Sequence, residues 1–98
     1  GPVAQGVIRK RGSAAVLGTW RADARSLSVR TEDPDLRAEA DRILSTPQLI
    51  PVKPPRHWQE AGPESAVRTA PVAYKYIPIL VMELESLGYE VEQTDEEA

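Results

Sequence analysis

The stretch from Pro71 to Val91, PVAYKYIPILVMELESLGYEV, concentrates the apolar side chains of the chain, and upstream segments read most simply as material packed onto it. Ile77, Leu80, Val81, Leu84 and Leu87 recur at the spacing of one helix face, while Lys75, Glu83, Glu85 and Ser86 fall on the other sides. Gly88 follows the last apolar position, where a residue without Cβ readily takes the left-handed conformation that ends a helix. Tyr89-Glu90-Val91-Glu92 then alternates like a strand. Pro78 fits the first helical turn but costs about 3 kcal/mol inside a helix. Two starts are therefore open, one near Pro78 and one near Pro71 with a kink, and the backward continuation of the stripe through Ala73 favours the longer helix.

Upstream, Val3 to Lys10 and Ala14 to Arg21 are β-prone runs around Arg11-Gly12-Ser13, which predicts a hairpin. With Gly12-Ser13 at the turn centre, Arg9 pairs with Val16, Ile8 with Leu17 and Val7 with Gly18. A second turn near Ala22-Asp23-Ala24-Arg25 returns the chain as Ser26 to Thr31, with Leu27 opposite Trp20 and Val29 opposite Gly18. This register puts Val7, Val16, Trp20, Leu27 and Val29 on a core face, and Ile8, Lys10, Leu17, Arg21, Ser28 and Arg30 on the opposite one. Asp33-Pro34 then reads as a helix cap followed by proline at the first position. That helix is expected from Pro34 to about Ser45, burying Leu36, Ala40, Ile43 and Leu44 and stopping before Pro47.

Gln48 to Val52 is short and β-prone, and Pro51 limits it to an edge strand. From Lys53 to Ala70, prolines, Gly62 and polar residues follow no period, so residues 53–70 are expected to form a long loop. The expected class is α+β, in the order βββαβαβ: an antiparallel meander, a helix, an edge strand, the Pro-rich loop, the amphipathic helix and a C-terminal strand.

Ninety-eight residues fit one small domain spanning 1–98. Gly1-Pro2, with Met82 the sole methionine, is expected to be a protease-cleavage scar at the front of a longer parent, and the acidic end, 94–98, a mobile tail. With no cysteine, disulfides, zinc–thiolate sites and thiol nucleophiles are excluded together, and a cytoplasmic setting is expected. No apolar run approaches the roughly 20 residues of a membrane span, so no membrane partner is expected.

The net charge of −3 is unevenly distributed. Seven basic residues against four acidic ones lie between Gly1 and Arg37, whereas Glu83 to the end carries seven acidic residues and no Lys or Arg. The basic meander face supplies the candidate interaction surface, Ile8, Lys10, Leu17, Arg21 and Arg30, with apolar positions between cations. The loop supplies a second candidate contact, Arg56, His57 and Trp58, beside Pro51-Val52-Lys53-Pro54-Pro55-Arg56, whose Pro-x-x-Pro spacing reads either as a polyproline ligand or as a stiff linker.

Catalytic and cofactor signatures are not found. His57, the single histidine, has no spaced second ligand and reads as a structural or solvated side chain. No serine lies in a Gly-x-Ser-x-Gly elbow or a Ser-x-x-Lys pair, and neither glycine-rich phosphate loop occurs. Glu32, Asp33 and Asp35 are explained by helix capping rather than by a cation site. The expected protein is therefore not an enzyme and holds no cofactor or metal. It reads as a protein–protein interaction or regulatory domain, self-associating through a sheet face or excised from a longer protein. The alternative is a nucleic-acid-binding domain using the basic face, disfavoured by the negative net charge and the few aromatic residues.

Overall fold

A computed structural model describes residues 4–23, 25–45, 65–69 and 76–94. Their elements run β1 (Ala4–Lys10), β2 (Val16–Ala22), β3 (Ser26–Thr31), α1 (Pro34–Leu44), β4 (Ser65–Thr69), α2 (Ile77–Ser86) and β5 (Tyr89–Thr94). The class is α+β with a β-meander, as the turn and periodicity signals predict. The strands form one antiparallel sheet in the order β4-β3-β2-β1-β5, so the last strand docks beside the first.

The first hairpin differs from expectation in two linked ways. Its turn is centred on Arg11-Gly12, with Gly12 at φ 86° and the Ser13 N–H donating to the Lys10 carbonyl at 3.0 Å. Arg9 does oppose Val16, but a bulge follows and Ile8 opposes Gly18 rather than Leu17. One extra residue in β2 moves β1 by one position, and because side chains alternate, that step exchanges its faces. Ile8 is consequently fully buried, while Val7 is only half-buried and Val16 is 50% exposed. Thr31 holds the irregularity in place: its hydroxyl donates to the Leu17 carbonyl at 2.6 Å and accepts from the Asp33 N–H at 3.0 Å.

At the second turn the Asp23 carboxylate accepts from the N–H groups of Arg25 and Ser26, each at 2.8 Å, and these bonds hold its pKa below the usual value. The turn falls later than expected, so Trp20 opposes Val29 and Ala22 opposes Leu27. A displacement of two residues preserves the faces, and Trp20, Leu27 and Val29 lie in the core as expected.

α1 matches its sequence signals, with the Asp33 side chain accepting from the Leu36 N–H at 2.8 Å and Leu36, Ala40, Ile43 and Leu44 buried. α2 takes the shorter of the two starts, at Ile77, with Pro78 in the first turn, where its missing N–H leaves no helical bond unmade. Of its stripe, Leu80 and Leu84 are buried, while Leu87 is 42% exposed. Gly88, at φ 96°, releases the chain into β5. The Arg11 guanidinium donates to the Glu85 carbonyl at 2.7 Å, placing a cation at the negative end of α2.

Ser65–Thr69 is a strand paired with β3, within a stretch whose prolines and missing period predict loop. A five-residue strand is too short for periodicity to register against that background. The expected edge strand at 48–52, the remainder of the loop over 53–64 and 70, and the tail residues 95–98 lie outside the described residues, while Thr94, expected in the tail, is the last residue of β5 and opposes Gln5.

Both helices contribute to one core, in which Leu36, Ala40, Ile43, Leu44, Leu80 and Leu84 cluster with Ile8, Trp20, Ala22, Leu27, Val29 and Tyr89. Both therefore cover the same sheet face. Trp20 ties three strands together there, because its indole N–H crosses β1 above Gly6 and donates to the Glu92 carbonyl of β5 at 3.2 Å.

Candidate functional site

The other face of the sheet carries neither described helix. Strand pairing sets its side chains in cross-strand rows. One row runs Ser28, Arg21, Gln5, Thr94, a second Arg30, Thr19, Val7, Glu92, and a third Val16, Arg9, Glu90. The charges fall in strips: cations on β3 and β2, and carboxylates on the edge strand β5, where Glu92 pairs with Arg9 of the neighbouring β1. Arg21, Arg30 and Glu90 are exposed, and no ion pair forms at any of the three among the described residues. Across β3, β2, β1 and β5 the aliphatic residues in these rows are Val7 and the exposed Val16, the first row continues in register to Val67 of β4, and Trp20, Tyr76 and Tyr89 belong to the helix-covered side.

The sequence-predicted interaction surface is thereby split. Arg21 and Arg30 lie together on the open face. Ile8 does not, since the bulge turns it into the core, and Leu17, at the bulge itself, is partly buried against that core. Lys10 shares the side of Ile8 at the strand end, where its ammonium lies 5.7 Å from the centroid of the Tyr89 ring. The sequence reading missed Glu90 and Glu92 as members of this face, because nothing in their local pattern tells which strand β5 joins. Arg56, His57 and Trp58 lie outside the described residues.

Elsewhere, burial raises the pKa of Tyr89, helped by the carboxylates of Asp33 and Asp35 at the start of α1 and of Glu39 at its middle. Among the described residues no group of three or more His, Cys, Asp or Glu side chains is arranged to hold a metal ion. Nor is any described helix long and apolar enough to cross a membrane. Compared with known proteins, the chain matches no family model, no curated protein and no solved structure.

Proposed function

We propose that this chain is a non-catalytic protein–protein interaction domain whose contact surface is the open sheet face. The observation that carries this reading is the charge layout: cations at Arg21 and Arg30 on β2 and β3 and carboxylates at Glu90 and Glu92 on β5 stand on one face, with Arg9 of β1 between them and paired to Glu92. Adjacent strips of opposite sign suit a partner that carries both signs in complementary positions, and such patterning contributes specificity and encounter rate more than raw affinity. A cytoplasmic setting fits a chain without cysteine.

A nucleic acid fits this face less well. Phosphate binding draws its strength from cations that release counterions, and single strands add stacking on aromatic side chains. Here Glu92 neutralises Arg9, Glu90 and Glu92 border the cations, and the described aromatic residues belong to the other side. Titration of a fluorescent single-stranded oligonucleotide tests the choice, with no measurable binding expected at physiological salt. Tight binding that weakens steeply with salt and is lost in Arg21→Glu/Arg30→Glu would contradict the proposed reading.

A further inference from the structure

We infer that the free edge of β5 takes an extended segment of a partner protein as a further antiparallel strand, one that alternates cationic and apolar side chains. That edge is a different surface from the open face, and neither depends on the other. β5 ends the sheet, and among the described residues no strand lies beyond it. The Arg11 N–H donates to the Gly88 carbonyl at 2.9 Å, which makes theirs a hydrogen-bonded pair. The register between β1 and β5 is continuous, so Arg9 with Glu90, Val7 with Glu92 and Gln5 with Thr94 are hydrogen-bonded pairs as well. The N–H and C=O groups of the intervening residues, Tyr89, Val91 and Gln93, therefore point away from β1 and form a template for another strand. Neither a proline nor a bulge against β1 blunts this edge.

The two sides of the edge specify its occupant. The nearby cations of β1 and its turn have partners inside the protomer: Arg9 holds Glu92, Lys10 lies by the Tyr89 ring and Arg11 donates to the Glu85 carbonyl. Glu90 is exposed and outside any ion pair among the described residues, so a cation directly across from it is the favourable neighbour. On the other side, α2 packs on β5 while α1 packs on β3 and β4, and Glu83 of α2 faces α1, 3.8 Å from Arg42. Val81, nearly opposite Glu83 around the helix, and Ile77 thus fall on the flank toward the free edge. Both are half-buried, as is Val91 beneath them, and an apolar side chain across from Val91 extends their contact. A second β5 does not fit. In each of the three antiparallel registers of greatest overlap, Glu90 meets Glu90 or Glu92, or Glu92 meets its own copy, and like charges directly opposite are destabilising.

Fluorescence anisotropy with a labelled peptide alternating lysine and valine, long enough to pair with all of β5, tests the inference together with amide hydrogen exchange read by NMR. Wild type is expected to bind it, and Glu90→Lys to weaken binding about fivefold, because a like charge then stands across the strands. Gln93→Pro removes an outward N–H that makes no bond to β1, so binding should be lost while the melting temperature stays near wild type. Should that variant unfold, N-methylation of the peptide decides on the wild-type protein. Methylating the valines, whose N–H groups would face β5, should abolish binding, and methylating the lysines should not. In the free protein the amides of Val91 and Gln93 should exchange fast and those of Glu90 and Glu92 slowly, and the peptide should protect the first two. Failure of the alternating peptide to bind overturns the inference, as does binding without that protection or binding unchanged by Glu90→Lys, by Gln93→Pro or by methylated valines. Protection of Val91 and Gln93 without peptide would show the edge already occupied, by a second copy or by the chain itself, and would overturn it too. The oligonucleotide titration reports on Arg21 and Arg30 of the open face, so the two readings fail separately.

Discussion

At the scale of single residues, the contact that most tightly limits substitution is the passage of Trp20 over Gly6. A Cβ added at Gly6 would lie 1.8 Å from the Glu92 carbonyl oxygen and 2.5 Å from the Trp20 indole nitrogen. The first of these is backbone in a paired strand and cannot swing aside. Gly6→Ala must either detach β5 or eject the indole from the core, at a cost of about 3 kcal/mol, the upper end for overpacking. A large drop in melting temperature with a red-shifted tryptophan emission is the expected outcome, and an unchanged melt would show that the indole does not cross there. Such a contact is not legible in sequence, where Gly6 and Trp20 are simply two residues of β-prone runs. The bulge is equally hidden. Its neighbours Arg9 and Val16 pair as the turn predicts, yet the extra residue has a partner that local sequence does not reveal, since Thr31, far along the chain, bonds the Leu17 carbonyl.

At the scale of elements, the signals that read correctly are those whose cause is local. Asp33-Pro34 starts α1 because a carboxylate and a ring without N–H satisfy the first turn without help from elsewhere, and Gly88 ends α2 for a similarly local reason. Asp33→Ala should remove the bond to the Leu36 N–H and lower stability by about 1 kcal/mol in denaturant unfolding. No change would mean that another group has taken over the cap. The start of α2 was harder to read because an apolar stripe and a proline gave opposite advice, and the proline prevails: the described helix begins at Ile77. β4 illustrates the limit of period-based reading, since its pairing with β3 is a tertiary fact that a five-residue segment does not announce.

At the scale of the molecule, topology decides which side chains are available for recognition. The chain sends β5 to the edge beside β1, and both described helices cover one face, leaving cations from β2 and β3 and carboxylates from β5 on the other. Charge asymmetry between the two ends of the chain was legible from sequence, but its meeting on one face was not, because that depends on strand order. The faces themselves depend on the one-residue shift after Ile8: without it Ile8 would join the arginines and Val7 the core. The absence of native cysteine makes this directly measurable with single-cysteine variants. In Val7→Cys and Ile8→Cys, reaction with a water-soluble thiol reagent under native conditions should be fast at position 7 and slow at position 8, approaching the rate of global opening. The reverse order, with position 8 reactive and position 7 protected, would contradict the bulged register and with it the composition of the open face.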